Sequence, residues 1–172
     1  MGETCMAGVA EDIAGLVADE LALIRDAEVR RSLQARLVTP TLHLRSWDYG
    51  APGEQFPCWT IATDPTSDSS IVYSRHGFGP KSPSGLVSTS SLWFGMDCGW
   101  YLRLEDAFTE SRMASGLPIW DVVVRDADGN QRTLASSLTM DAAFRMRDAA
   151  AAQHGGSRCE VMYRSQRKDG VD

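Results

Sequence analysis

The sequence predicts an α+β fold: a mixed or mostly antiparallel sheet of about six to eight strands, two helices on one face and a long N-terminal helix. Three observations carry this prediction. Residues 11–37 keep a helical apolar period. From residue 41 onward, short runs rich in β-branched and aromatic residues alternate with turn-forming residues. The links between those runs up to Leu102 are too short for the helical crossovers that a wholly parallel sheet requires. The expected division is a helical arm over residues 1–38 and an α+β domain over 39–172.

Residues 1–10 are expected to fray. In the helix that follows, Ile13, Leu16, Val17, Leu21, Leu23, Ile24 and Ala27 share one face. Val29, Leu33 and Leu37 continue at four-residue steps on nearly the opposite side. One straight helix cannot bury both stripes against one surface. Either it breaks near Asp26, or it lies between two apolar partners, one of them supplied by a second subunit; the plain reading is a helix packed on its own sheet with some exposed leucines.

Beyond Pro40, Thr41–Trp47 alternates as a strand and Asp48–Phe56 is a loop marked by glycine and proline. Cys58–Thr63 and Ser70–Ser74 read as strands joined by the turn sequence DPTSD. The glycine- and proline-rich insert His76–Gly85 follows, then strands at Leu86–Thr89, Leu92–Met96 and Trp100–Leu102. Leu104–Ser115 is a short helix with Glu105 and Asp106 in its first turn, ended by Gly116 and Pro118. Ile119–Arg125 and Gln131–Ala135 flank Asp126-Ala127-Asp128-Gly129-Asn130, a hairpin signal. Thr139 is placed to cap a helix over Met140–Gln153, with His154 at its negative end, and Arg158–Arg164 is the last strand.

A chain of 172 residues with 43% apolar and 23% charged residues can bury a core without metal or disulfide. The net charge of −6, with no basic block, argues against nucleic acid and suits either a solvated surface or a basic protein partner. Cys5, Cys58, Cys98 and Cys159 are too scattered for a zinc motif, and no apolar run is long enough to span a membrane. The opening MGETCMAGVAED lacks the basic start and apolar run of a secretory leader. A cytoplasmic protein with reduced thiols is expected. Two lysines against fifteen arginines, with many alanines, point to a GC-rich bacterial genome.

Few stretches carry chemistry. Gly77-Phe78-Gly79 follows a strand as a dinucleotide loop would, but prolines at positions 80 and 83 replace the helix such a loop needs. Pro80 also stands where a phosphate-binding loop has the glycine that precedes its lysine. The Asp126 segment fails as a calcium loop: its glycine comes too early, and Ser137 holds the position of the bidentate glutamate. No GxSxG elbow is present, and three dispersed histidines give no metal motif. No cofactor is expected. The best nucleophile is Cys98, with His76 as base and Asp97 as orienter; His43 and Asp48 are the substitutes.

Tryptophans 47, 59, 93, 100 and 120 all fall at or beside strands, where large core side chains are the ordinary reading. Placed next to a glycine-shaped loop, such residues also serve as protein-recognition anchors. Phe78, flanked by Arg75 and Lys81, would form a compact docking patch, so the expected binding surface is Arg75, His76, Phe78, Lys81, Trp93 and Trp100. The leading expectation is a non-enzymatic module that binds another protein, regulatory or toxin-neutralising, with the N-terminal helix as a candidate homodimer surface. The alternatives are a small thiol-dependent hydrolase or transferase using Cys98 and His76, and a small-ligand binder with a pocket lined by Trp59, Trp93 and Trp100.

Overall fold

A computed structural model of the chain describes residues 3–75, 81–95, 98–153 and 158–164, with side chains from residue 8 onward. The fold is α+β, and the chain forms two compact units, Met1–Met113 and Ala114–Asp172. The expected strands divide between them into a six-stranded and a three-stranded sheet, and each sheet has a helix from the second half of the chain against it.

The N-terminal helical period resolves as two helices, α1 (Glu3–Leu23) and α2 (Ala27–Gln34). The helix starts at Glu3, so residues 3–10 of the segment expected to fray are helical. The break falls at Asp26, whose carboxylate accepts the backbone N–H groups of Glu28 (3.0 Å) and Val29 (3.3 Å) as an N-cap. This break reconciles the two apolar stripes. Ile13, Val17 and Ile24 are buried on one side of it, and Val29 and Leu33 are completely buried on the other. Leu37 belongs to neither helix, because it opens the first strand.

The sheet of the first unit comprises β1 (Leu37–Trp47), β2 (Phe56–Asp64), β3 (Ser69–Tyr73), β4 (Ser84–Val87), β5 (Trp93–Phe94) and β6 (Trp100–Tyr101), in the order β5-β1-β2-β3-β4-β6. Every pairing is antiparallel except the short parallel one between β1 and β5, where Ser46 stands opposite Trp93 and Trp47 opposite Phe94. β1 begins four residues earlier than its alternation predicts and carries Pro40 in the stretch where its register with β2 shifts.

The sheet is curled. Phe94 and Trp100, from the two strands at opposite ends of the order, meet edge to face with ring centroids 5.7 Å apart. Inside lie Cys58, Val72, Val87 and Phe94, with Trp47, Phe56, Cys98 and Trp100 packed around them. Gly85 makes the closure fit, because a Cβ there would come within 2.8–3.0 Å of the Trp100 ring. α3 (Leu104–Thr109) buries Leu104, Ala107 and Phe108 against the same unit. It is shorter than expected and passes into a 3-10 turn at Arg112–Ala114. Its N-terminus has no cap of its own. Glu20 of α1 supplies one, accepting from the Leu104 N–H (3.2 Å) and from Arg103 Nε (3.0 Å).

The second unit holds β7 (Trp120–Arg125), β8 (Gln131–Leu138), α4 (Met140–Gln153) and β9 (Arg158–Tyr163). The sheet order is β8-β7-β9, all antiparallel, and α4 packs mainly on β9 and β7. The predicted hairpin joins β7 to β8: Asp126 accepts the N–H groups of Asp128 and Asn130, and Gly129 takes the left-handed φ of +86°. Thr139 Oγ1 accepts the Ala142 N–H at 3.4 Å at the start of α4.

The closure yields a test. Gly85→Ala must displace a packed indole and is expected to destabilise the protein by about 1–3 kcal/mol, read as a lower urea midpoint with an altered tryptophan emission. An unchanged midpoint would show that Trp100 is not held against that backbone.

Candidate functional site

Neighbouring residues on a strand point to opposite faces, so the β1–β5 pair turns Arg45, Trp47 and Phe94 inward and Leu44, Ser46 and Trp93 outward. Leu44 lies diagonally beside Trp93 on the outer face. Trp93 is 59% exposed, Leu92 59% and Leu44 48%, while Tyr49, against Trp47 at 5.7 Å between centroids, is 64% exposed. The patch is thus a surface tryptophan of β5 and a surface leucine of β1, with Leu92 exposed in the turn that leads into β5.

The backbone under this patch is fixed by the serine run, whose role is structural. Asp68 accepts hydrogen bonds from the Ser88 hydroxyl and from both the N–H (2.8 Å) and the hydroxyl (2.7 Å) of Ser90. These bonds hold its carboxyl below the usual carboxylate range. Ser91 Oγ accepts the Trp93 N–H and donates to the Trp93 carbonyl, both at 3.0 Å. Beneath the turn lies Arg45, 1% exposed, whose Nη1 donates to the carbonyls of Ser88 and Ser91. Among the described residues, its Nε has no hydrogen-bond partner and no carboxylate pairs with it. Sequence reasoning passed over Arg45 entirely. The one available signal was an arginine at an inward position of an alternating strand.

The expected surface residues separate. Arg75 and Lys81 are exposed, just after β3 and just before β4. Trp93 is exposed, but Trp100 lies in the core against Phe94. Trp93 and Trp100 therefore stand on opposite faces of the curled sheet, and these indoles with Trp59 do not line one pocket. His76, Phe78 and Asp97 lie outside the described residues.

Cys98 is half-buried. It packs beside the core and lines an open polar groove of about 650 Å³, together with Asp68, Ser88, Glu110, Ser111 and Arg112. His43 is exposed on β1. Cys58 is fully buried, and burial pushes its thiol up to about 11, with the Arg45 charge and the Ser74 hydroxyl opposing the shift. Among the described residues, no three of His, Cys, Asp and Glu are grouped to hold a metal ion, and no helix is long and apolar enough to cross a membrane.

The two thiols should differ in reactivity, because the nucleophile is the thiolate and access limits attack. Iodoacetamide at neutral pH is expected to modify Cys98 in the folded protein and Cys58 only after unfolding, as read by peptide mass spectrometry. Linkage adds a pH dependence. The unfolded thiol ionises near 9.0 and the folded one near 11, so this contribution to stability is complete below pH 9.0 and is lost as pH rises from there towards 11. Cys58→Ala should remove that alkaline decline at a cost of about 1–2 kcal/mol at neutral pH; an identical decline in the variant would assign it to another group. No protein family, curated protein or solved structure matches this chain.

Proposed function

We propose that the chain is a non-enzymatic, cytoplasmic protein-binding module of a regulatory or toxin-neutralising kind. The single observation that carries the reading is Trp93: a 59%-exposed indole on the outer face, beside Leu92 and Leu44, over a turn fixed by Arg45 and the serine run. Isolated exposed apolar side chains are ordinary. A tryptophan with a leucine beside it on the same face of a hydrogen-bonded support is what an interface uses as an anchor, since the rigid backbone leaves little entropy to lose on binding. Arg75 and Lys81, exposed at the β3–β4 end, and Phe78, between them in the sequence, are a second part of the proposed surface.

Capture of partners from the native cell extract tests the proposal. Trp93→Ala should keep its melting temperature, because the side chain is mostly exposed. As an anchor, its loss should weaken capture of a specific partner by more than about tenfold, with Phe78→Ala as the second arm. Equal capture by wild type and both variants would end this reading.

One observation favours a second reading, a thiol-dependent hydrolase or transferase: Cys98 opens onto the groove that also holds Glu110 and Arg112. That reading requires Cys98 to alkylate much faster than a free thiol near pH 7 and to lose the acceleration in His76→Ala. An ordinary alkylation rate, unchanged by the histidine substitution, would exclude it.

A further inference from the structure

We infer that the outer seam of α1 receives a cationic amphipathic helix of a partner protein. This rests on the protein-binding reading but concerns a different face from Trp93.

α1 meets the rest of its unit along a narrow stripe: Ile13 is 3% and Val17 8% exposed, with Ala10, Glu20 and Leu21 half-buried. The side flanking this stripe carries a second order. Val9, Leu16 and Leu23 recur every seven residues and are 39%, 38% and 58% exposed. Asp12 and Asp19, also seven apart and exposed, fall between them. The resulting steps of three and four residues are the spacing of a helix–helix seam. The next row, Gly8, Gly15 and Ala22, has no bulk, and a Cβ at either glycine would meet nothing within 4 Å. A second helix can therefore approach closely along this line, at an interaxial distance of about 8–10 Å.

A seat is already formed beside the seam. Leu16, Tyr73, Pro83, Leu102 and Leu104 line an apolar cavity of about 160 Å³, room for one or two large side chains, and Leu102 at its rim is 61% exposed. Glu20 reaches the same cavity, but its carboxylate is already engaged by Arg103 and the Leu104 N–H. The seat thus asks for an apolar knob.

Charge selects the occupant. α1 has five carboxylates and no basic residue, and Asp12 and Asp19 sit within the seam itself. The nearby cations are Arg25, exposed two residues beyond Leu23 at the C-terminal end of the seam, Arg103, paired with Glu20, and Arg75 and Lys81, two residues from the Tyr73–Pro83 end of the cavity; none lies at a seam position of α1. A second copy of α1 would bring like carboxylates together at the seam, which opposes self-pairing. A partner helix with apolar residues opposite Val9, Leu16 and Leu23, and Lys or Arg opposite the two aspartates, satisfies both requirements.

The test uses the full chain and two labelled helical peptides about three heptads long. One alternates Leu and Lys along a seam, and its twin has Glu in place of each Lys; both are titrated by fluorescence anisotropy. The Lys peptide should bind at least about tenfold more tightly than its twin, and less tightly as salt rises. The double variant Asp12→Lys/Asp19→Lys should reverse the preference, while Asp128→Lys/Asp141→Lys, of equal net charge and remote in sequence, should not. Leu16→Gln, at an exposed position, should weaken the Lys peptide about tenfold. Equal affinity for the twins, an unreversed preference, or an inert Leu16→Gln would overturn the inference. So would a dimer by light scattering that Leu16→Gln dissociates, since a second copy would then be the occupant. A native partner that depends on Trp93 but ignores the α1 substitutions would leave the protein-binding reading standing and end this one.

Discussion

The first unit depends on one closure: Phe94 and Trp100, from strands at the two ends of the sheet order, must meet. A sheet this curled leaves space for little in its interior besides its own aromatic rings and a few small residues such as Cys58 and Val72. The bare backbone at Gly85 is part of the same requirement, since the indole of Trp100 occupies the volume a side chain would need. The long first strand serves it too, pairing with β2 on one edge and, at Ser46 and Trp47, with β5 on the other.

The closure also explains Arg45. An inward position near the end of β1 points at the turn that returns the chain into β5, and the carbonyls of Ser88 and Ser91 need donors there. A guanidinium is the one side chain that offers several donors from a single planar head. Burying it is costly, so the turn it holds is set by position-specific bonding that tolerates little change. Trp93 inherits that fixity, being two residues beyond Ser91 and bonded to its hydroxyl. The exposure of the indole follows from strand alternation once Phe94 has been committed inward.

Much of this order was legible in the sequence where a local signal acted alone. The hairpin at Asp126–Asn130, the helix over Met140–Gln153 and the antiparallel pairing of β2, β3, β4 and β6 all follow from turn chemistry, capping and link length, whereas the parallel pairing of β5 with β1 does not. The two-stripe problem of residues 11–37 was visible as well, and a break at Asp26 was one of its solutions; choosing it required knowing that Val29 and Leu33 have a core to enter. Alternation could not divide the four tryptophans of the first unit between the faces, because a curled sheet buries one face by closing on itself. Trp93 and Trp100 look alike as sequence. They differ in that one stands opposite Ser46 and the other opposite Gly85. The inward role of Arg45 was hidden for the same reason, since an arginine in a strand reads as solvent-facing until the strand is seen to bend over its own return.

The outer face is where closure leaves work unfinished. With the rings turned inward, the outward apolar residues of the sheet depend on helices for cover, and α1 covers them along one stripe while leaving Leu16, Leu23 and Leu102 exposed. Scattered exposure would follow no period, but Val9, Leu16 and Leu23 keep a seven-residue spacing with acidic residues at the intervening seam positions. Helix propensity alone demands no such phase, since glutamate or lysine would serve the isolated helix better than Gly8 and Gly15 do. Two glycines at that spacing weaken α1, and what they provide in return is access along its length. The balance of weakened helix, periodic leucines and uniform negative charge is accounted for by a complementary helix of opposite charge, and by no requirement of the unit's own core.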